Sequence, residues 1–571
     1  MRLDVRLLSF VALTAACRSP AHVGPTPGSE GPYDLIIENG RVVDGTGAAW
    51  FYGDIAVRGD RIVRVTHRGV LHDAAAKQRV DAAGLVVAPG FIDIQGQSGS
   101  LFLSGDGRDV GKISQGVTTE ILGEGSTPAP INPHRLSEAL AGAGSIDPTL
   151  VTRFAEPRGF DNWLRAMEAH GISPNVGSFV GAGTVRVYGM GLGMGPARGA
   201  ALDSMRAAVR RAMEDGAFGM ASALIYPPNT FASTDELIEE ARAMAPYGGV
   251  YITHMRSEAD KLLEAIDEAM LIGKDGGVPV EIYHLKAAGV RNWPKEAAVI
   301  AKIDSARANG LDIQADMYPY TAGATGLTSC LPPSASAEGK LFENLADSAM
   351  RAKIRGEVAH PTSDWEDLCS QATPANVLIT DLRRPENAPY IGKRLSEIAQ
   401  MMGTDYLDAA MRLIASERRR VETIYFLMSE DNVKLQLQQP WIKIGTDAAG
   451  PDPDSVHALL HPRSYGTYPR ILGKYVREEH VLPLEDAIRK MSSAVATRLA
   501  IPDRGILKPG MYADVVIFDP NTIIDKATYE QPRQLSTGVR YVWVNGTLVW
   551  HDGEPTGAKP GRIVRGAGYR P

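Results

Sequence analysis

The sequence predicts an α/β protein, a (β/α)8 TIM-like barrel inserted in a small β-sandwich formed by both termini. Three observations carry this. Both ends of the chain hold short β-branched runs broken by Asn-Gly and Gly-Asp turns. The long middle alternates helical periodicity with short apolar strands that end in polar residues. The 571 residues, 44% hydrophobic and 22% charged, suffice for a barrel with attachments and exclude a disordered chain.

Residues 1–17 read as an export signal. Arg2 and Arg6 precede an apolar stretch at 7–16, too short to span a bilayer but long enough for a signal-peptide core. Thr14-Ala15-Ala16 before Cys17 resembles a bacterial lipobox, in which the cysteine is lipidated and becomes the mature N-terminus. Plain secretion and an ordinary N-terminal helix are the other readings. The expected location is the bacterial periplasm, with membrane attachment only through the lipid on Cys17. Residues 18–32, rich in Pro, Gly and Ser, read as a linker. Residues 33–88 read as hairpins, with Leu35-Ile36-Ile37 before Asn39-Gly40 and Asp54-Ile55-Ala56-Val57 before Gly59-Asp60. Residues 501–571 repeat that style in Val515-Val516-Ile517-Phe518 and around the Asn545-Gly546 turn, and are assigned to the same sandwich.

Residues 89–500 are assigned to the barrel. Candidate strands end at Ile94, Leu122, Val180, Leu224, Thr253, Tyr283, Ala315, Phe426 and Gly445. Nine candidates for eight places mean that at least one is an extra element. An insertion is expected around 324–420, where charged helices and scattered prolines interrupt the alternation.

In such a barrel the chemistry sits at the carboxyl ends of the strands. Those ends carry Gln95, Gln97, Glu124, His254, His284, Asp316 and Asp447. His254 and His284 terminate consecutive β-like runs, and neighbouring parallel strands lie about 4.8 Å apart. Two imidazoles so placed can converge on one metal ion, with Asp447 at the end of a late strand. A single strand-end histidine is more often a packing residue, so the matched pair is the signal. The charge balance, 60 basic against 67 acidic side chains, gives no support for a nucleic-acid partner. Three cysteines, Cys17, Cys330 and Cys369, exclude a disulfide scaffold and leave at most one bridge.

Several motifs resemble the amidohydrolase superfamily, specifically its D-aminoacylase (N-acyl-D-amino-acid deacylase) branch. They are Gly90-Phe91-Ile92-Asp93, Gln115-Gly116-Val117-Thr118-Thr119, Thr253-His254-Met255-Arg256, His284-Leu285-Lys286, Asp316-Met317-Tyr318-Pro319, Gly445-Thr446-Asp447 and His461-Pro462-Arg463. The likeness spans roughly residues 33–568. It implies a metal-dependent barrel, His254 and His284 as zinc ligands, Asp447 as the catalytic carboxylate, and Lys286, Tyr318 and Arg463 as holders of a substrate carboxylate.

The sequence departs from that branch in three places. Where most amidohydrolases carry His-x-His, this chain has Gln95-Gly96-Gln97, and a neutral amide oxygen is a weaker zinc donor than imidazole. The expectation is one zinc per chain, the second site lost, with Gln95 and Gln97 left to hydrogen-bond water or substrate. Many relatives place a ligating cysteine after Val-Thr-Thr, whereas this chain reads Gly123-Glu124-Gly125, so Glu124 is expected to ligate, with hydrogen bonding or charge balance as the alternative. Gly181-Ala182-Gly183 stands where relatives often have a histidine. The expected function is zinc-dependent hydrolysis of N-acyl-D-amino acids or related acyl amino acids and dipeptides, using one activated water and Asp447 as base. Two alternatives remain: a same-fold hydrolase of cyclic amides, lactones or peptides, and a non-catalytic binding lipoprotein.

Overall fold

A computed structural model describes residues 32–144, 146–361 and 365–571. The signal peptide and lipobox expected at 1–17, including Cys17, lie outside the described residues, as does all but the end of the 18–32 linker.

Both termini build one sheet of nine strands. Tyr33–Val42 pairs antiparallel with Phe51–Arg58, which pairs with Arg61–His67. On its other side Tyr33–Val42 runs parallel to Ala76–Asp81 and then to Val86–Pro89. Val86–Pro89 pairs antiparallel with Val515–Phe518, from which the sheet continues through Val539–Val544 and Thr547–His551 to Glu554–Pro555. The Asn545-Gly546 turn has φ of +49° and +76°, the double left-handed geometry that a two-residue hairpin with strand-matching twist requires. Leu35, Ile55, Val57, Val87, Val515 and Trp543 share one buried core, so strands from both ends enclose a common interior. The sandwich is thus a single hydrogen-bonded sheet rather than two separate ones.

The sheet's last strand ends at Pro555, and the residues beyond it return to the barrel instead of completing the sandwich to 571. Val564 N donates to Val176 O, and Ile563 bridges in parallel to Val176. No β-branched alternation continues past Pro555, and Gly561 passes so close to Pro174 that a Cβ there would lie 2.0 Å from its carbonyl oxygen.

The barrel consists of eight parallel positions. In order they are Phe91–Asp93, Val117–Leu122, Asn175–Ser178 with its continuation Val180–Gly181, Gly219–Ala223, Val250–His254, Val280–Ile282, Ile313–Met317 and Ile442–Ile444. The eighth meets the first through the Gly96–Ala448 bridge and an Asp447 N to Gln95 O hydrogen bond of 2.8 Å. The strands are almost wholly buried, as expected of a parallel sheet covered by helices. Those helices are amphipathic. In Thr234–Met244, for example, Leu237, Ile238, Ala241 and Met244 face inward, and the Ser233 side chain accepts from Glu236 N to cap the first turn.

The ninth candidate strand, Glu422–Phe426, is the extra one. It lies between Ala322–Gly326 and Val377–Asp381 in a separate antiparallel sheet of three. Helices Ser348–Ala359, Leu395–Met402 and Tyr406–Glu417 close over this sheet around a second core that includes Leu327, Val377, Leu395, Leu407 and Tyr425. The run at 422–426 is as β-branched and apolar as a barrel strand, so only its partners distinguish it. Within this insertion Cys330 and Cys369 form a disulfide across 39 residues.

Candidate metal centre

Each strand end delivers its side chain through local chemistry. Gln95 and Gln97 follow the first strand two residues apart and so reach the same side. Glu124 sits between Gly123 (φ +119°) and Gly125 (φ +67°), where a Cβ would press within 2.3 Å of Phe179 O and 2.8 Å of Ala223 Cβ. Glycine on both sides is what lets the loop turn Glu124 inward. His254 is the last residue of its strand. His284 and Asp447 follow theirs with φ of +33° and +49°. Asp316, at the end of the next strand, accepts from His284 N at 2.9 Å and holds that conformation.

These ends converge. Glu124 Oε1 lies 3.4 Å from His254 Nδ1 and 3.2 Å from His284 Nε2, and the two imidazoles meet edge to face at 4.5 Å between centroids. One donor atom from each of the three falls within 4.8 Å of the others. Both ring nitrogens of His254 are buried and make no hydrogen bond among the described residues. A carboxylate oxygen and two imidazole nitrogens this close together are a donor set that suits zinc. Burial opposes ionisation of Glu124, but the flanking imidazoles hold its carboxyl well below the usual carboxylate range. Burial and Lys286 both disfavour a charged His284, yet the carboxylates of Glu258 and Glu124 push it up to about 10. The place between them therefore favours positive charge.

The other oxygen of Glu124 is differently occupied. Gln95 Nε2 and Gln97 Nε2 each donate to Glu124 Oε2 at 2.7 Å. Gln97 Nε2 also lies 3.4 Å from Asp447 Oδ1. The Gln pair thus presents amide N–H groups, not donor lone pairs, where a second cation would need ligands. The three donors of Glu124, His254 and His284 fit a metal ion.

Beside this cluster, Asp447 Oδ2 is 2.8 Å from Arg463 Nη1, and the Arg463 guanidinium stacks over Tyr318 at 4.6 Å. Burial pushes the Asp447 carboxyl up, although Arg463 opposes the shift. His461 Nδ1 accepts from Arg463 N at 3.0 Å and Nε2 contacts Ala322 O at 2.9 Å, so the first strand of the insertion fixes Arg463. Lys286 Nζ is 2.6 Å from Glu258 Oε1 and 2.7 Å from His284 Nδ1. The nine residues given a role in the sequence reading lie in this one place, and Asp316 supports it through His284 N. Two were missed. Glu258 faces both histidines, and Tyr226 packs its ring 5.2 Å from His254. Neither ends a strand, so nothing in the local pattern marked them.

A parallel barrel whose strand ends gather two histidines and carboxylates around a cation site defines the class of metal-dependent barrel hydrolases. A family model described as the amidohydrolase family matches residues 377–550. The chain is 34% identical to a D-aminoacylase of Alcaligenes xylosoxydans xylosoxydans, covering 93% of this chain and 98% of that one. It is 34% identical to an N-acyl-D-glutamate deacylase of the same organism, covering 93% and 96%. Among solved structures, a D-aminoacylase crystal structure matches with a TM-score of 0.76 at 33% identity over 94% of this chain and 100% of that one. An N-acyl-D-glutamate deacylase from Bordetella bronchiseptica, complexed with zinc and a phosphonate inhibitor, matches with a TM-score of 0.77 at 31% identity over 94% and 100%. The chain belongs to the amidohydrolase family, in its D-aminoacylase branch, and is a metal-dependent amidohydrolase.

Proposed function

We propose that the protein hydrolyses N-acyl-D-amino acids or closely related acyl amino acids and dipeptides, using one zinc ion per chain held by Glu124, His254 and His284. The observation that carries this reading is the convergence of those three donors beside a buried Asp447–Arg463 pair. When bound there, zinc polarises an amide carbonyl and acidifies water. Asp447, whose carboxyl is raised by burial, accepts the proton of the attacking water and returns it to the leaving nitrogen, general base and then general acid. Arg463 offers a planar fork to the substrate carboxylate, Tyr318 supports its face, and Lys286 adds a second positive charge nearby. Arg463 Nη1 pairs with Asp447 and Nη2 donates to Ala324 O, while its buried Nε makes no hydrogen bond among the described residues.

Among the relatives, one D-aminoacylase, 34% identical with a TM-score of 0.76 over 94% of this chain and 100% of that one, has a binuclear centre described by one-metal activation and second-metal attenuation. In this chain the amides of Gln95 and Gln97 cap Glu124 Oε2, which favours the one-metal form. Export is also proposed. The disulfide Cys330–Cys369 supports it, because such bonds persist in oxidising compartments.

The test joins metal analysis to assay. Elemental mass spectrometry on protein purified without chelator is expected to find about one zinc per chain. An acyl-D-amino-acid panel is expected to show turnover, and Asp447→Asn to lower kcat by about 10²- to 10⁴-fold with zinc content unchanged. Absence of zinc after incubation with the metal would refute the reading.

A further inference from the structure

Glu258 has no place in the reaction described above, yet it is buried against both candidate ligand histidines and Lys286. It lies 5% exposed in the loop after His254. Its two oxygens are divided between the two candidate ligands: Oε1 is 3.0 Å from His284 Nδ1, and Oε2 is 3.7 Å from His254 Nε2, in ion-pair range. These are the ring nitrogens that point away from Glu124, whose Oε1 faces His254 Nδ1 and His284 Nε2. The imidazole pair is thus set between two carboxylates, Glu124 on the inner side and Glu258 on the outer.

The chemistry of a metal-bound imidazole gives this arrangement a purpose. A histidine that offers one nitrogen's lone pair carries its proton on the other, and an acceptor there fixes the tautomer, holds the ring and strengthens the donor. Glu258 stands 3.0 Å from His284 Nδ1, a place it shares with Lys286 Nζ at 2.7 Å, and reaches His254 by charge alone at 3.7 Å. The negative charge of Glu258 is balanced by Lys286 Nζ at 2.6 Å, which makes a buried carboxylate tolerable in this position. The backbone of Glu258 is fixed from the insertion. Glu366 Oε1 accepts from Ser257 Oγ at 2.5 Å, from Glu258 N at 2.8 Å and from Ala259 N at 2.8 Å. A segment far from the barrel strands in sequence therefore clasps the turn that presents Glu258.

We propose that Glu258 is a positioning residue shared by both zinc-ligand histidines, and that the insertion holds it in place through Glu366. This rests on the reading of His254 and His284 as ligands.

The experiment measures zinc affinity by competition with a chromophoric chelator, and the visible spectrum of the cobalt(II)-loaded protein, for wild type, Glu258→Gln and Glu258→Asp. The Gln variant keeps the volume but removes the charge, and zinc affinity is expected to fall about 10- to 100-fold with displaced cobalt bands. The Asp variant keeps the charge but withdraws it by one methylene, and is expected to bind more tightly than Gln and at least about threefold more weakly than wild type. Circular dichroism reports folding. Should the Gln variant not fold, the comparison of Asp with wild type decides the matter. Variants that bind zinc within twofold of wild type, with an unchanged cobalt spectrum, overturn the role of Glu258 while leaving the metal centre intact. Failure of the wild type to bind zinc overturns the centre itself, so the two failures are separable.

Discussion

His284 and Asp447 hold left-handed backbone conformations that cost side-chain-bearing residues about 1–3 kcal/mol each. Both stand just after a strand, where the chain turns into the site, and the neighbouring Asp316 carboxylate holds one of them there. The amide clamp on Glu124 makes a residue-level prediction. Replacing Gln95 and Gln97 together with histidine offers imidazole lone pairs where amide N–H groups now point. Elemental mass spectrometry is then expected to rise from about one zinc per chain toward about two. Glu296 makes another. Its Oε1 accepts from Gln436 at 2.8 Å, and burial raises its pKa to about 7, with Gln436 and the backbone of Ala287 opposing. A carboxyl raised from 4.5 in the folded state penalises folding when ionised. The penalty is absent below about pH 4.5, grows through the interval and is complete above about pH 7. Glu296→Gln is therefore expected to stabilise the protein at pH 8 by up to about 3 kcal/mol and to do nothing at pH 4.5, read from urea midpoints. At this scale the sequence was legible where a reactive side chain ended an apolar run, as at His254 and Asp447. It was silent at Glu258, because a carboxylate in a loop gains its meaning only from what the fold brings against it.

Among elements, the first, second and eighth strands of the barrel are joined by a buried charge network beneath the site. Lys112 Nζ is 2.6 Å from Asp93 Oδ2, 2.8 Å from Thr446 Oγ1 and 3.4 Å from Glu120 Oε1, and Ser98 N donates to Glu120 at 2.9 Å. Lys112, Asp93 and Glu120 are fully buried. The network sets the strand ends that carry Gln95, Gln97 and Asp447. Lys112→Met leaves carboxylates without their cation, and a loss of about 3–5 kcal/mol is expected in chemical denaturation. Strands were the most readable elements, since most buried parallel strands here are short, largely apolar runs that end in polar residues. The same runs explain the one ambiguity. Glu422–Phe426 has a barrel strand's composition, and only antiparallel pairing to Ala322–Gly326 and Val377–Asp381 separates it. The segment beyond Pro555 was unreadable for the opposite reason, having no periodicity to reveal that it returns to the third strand.

Across the whole molecule, the insertion is a body with its own core, tied by one disulfide and joined to the site through His461 and Glu366. Closing a loop across 39 residues is worth about 4 kcal/mol by the chain-entropy relation. The Cys330→Ser, Cys369→Ser double variant is expected to lose about that much stability. Limited proteolysis is expected to cut first within the insertion, while the barrel fragments stay protected. The architecture was legible at this scale because both ends of the chain speak the same hairpin language around a different middle.

The closure of the terminal sheet has a consequence for how the chain is made. Val86–Pro89 is bonded on one edge by Tyr33–Val42, and its other edge belongs to Val515–Phe518. A ribosome adding about 5–20 residues per second needs roughly 20–90 seconds to cross that interval. For that time the N-terminal strands present an open edge, the kind that pairs with strangers. A nascent chain of this protein therefore has a built-in reason to be escorted until the strand at Val515–Phe518 arrives.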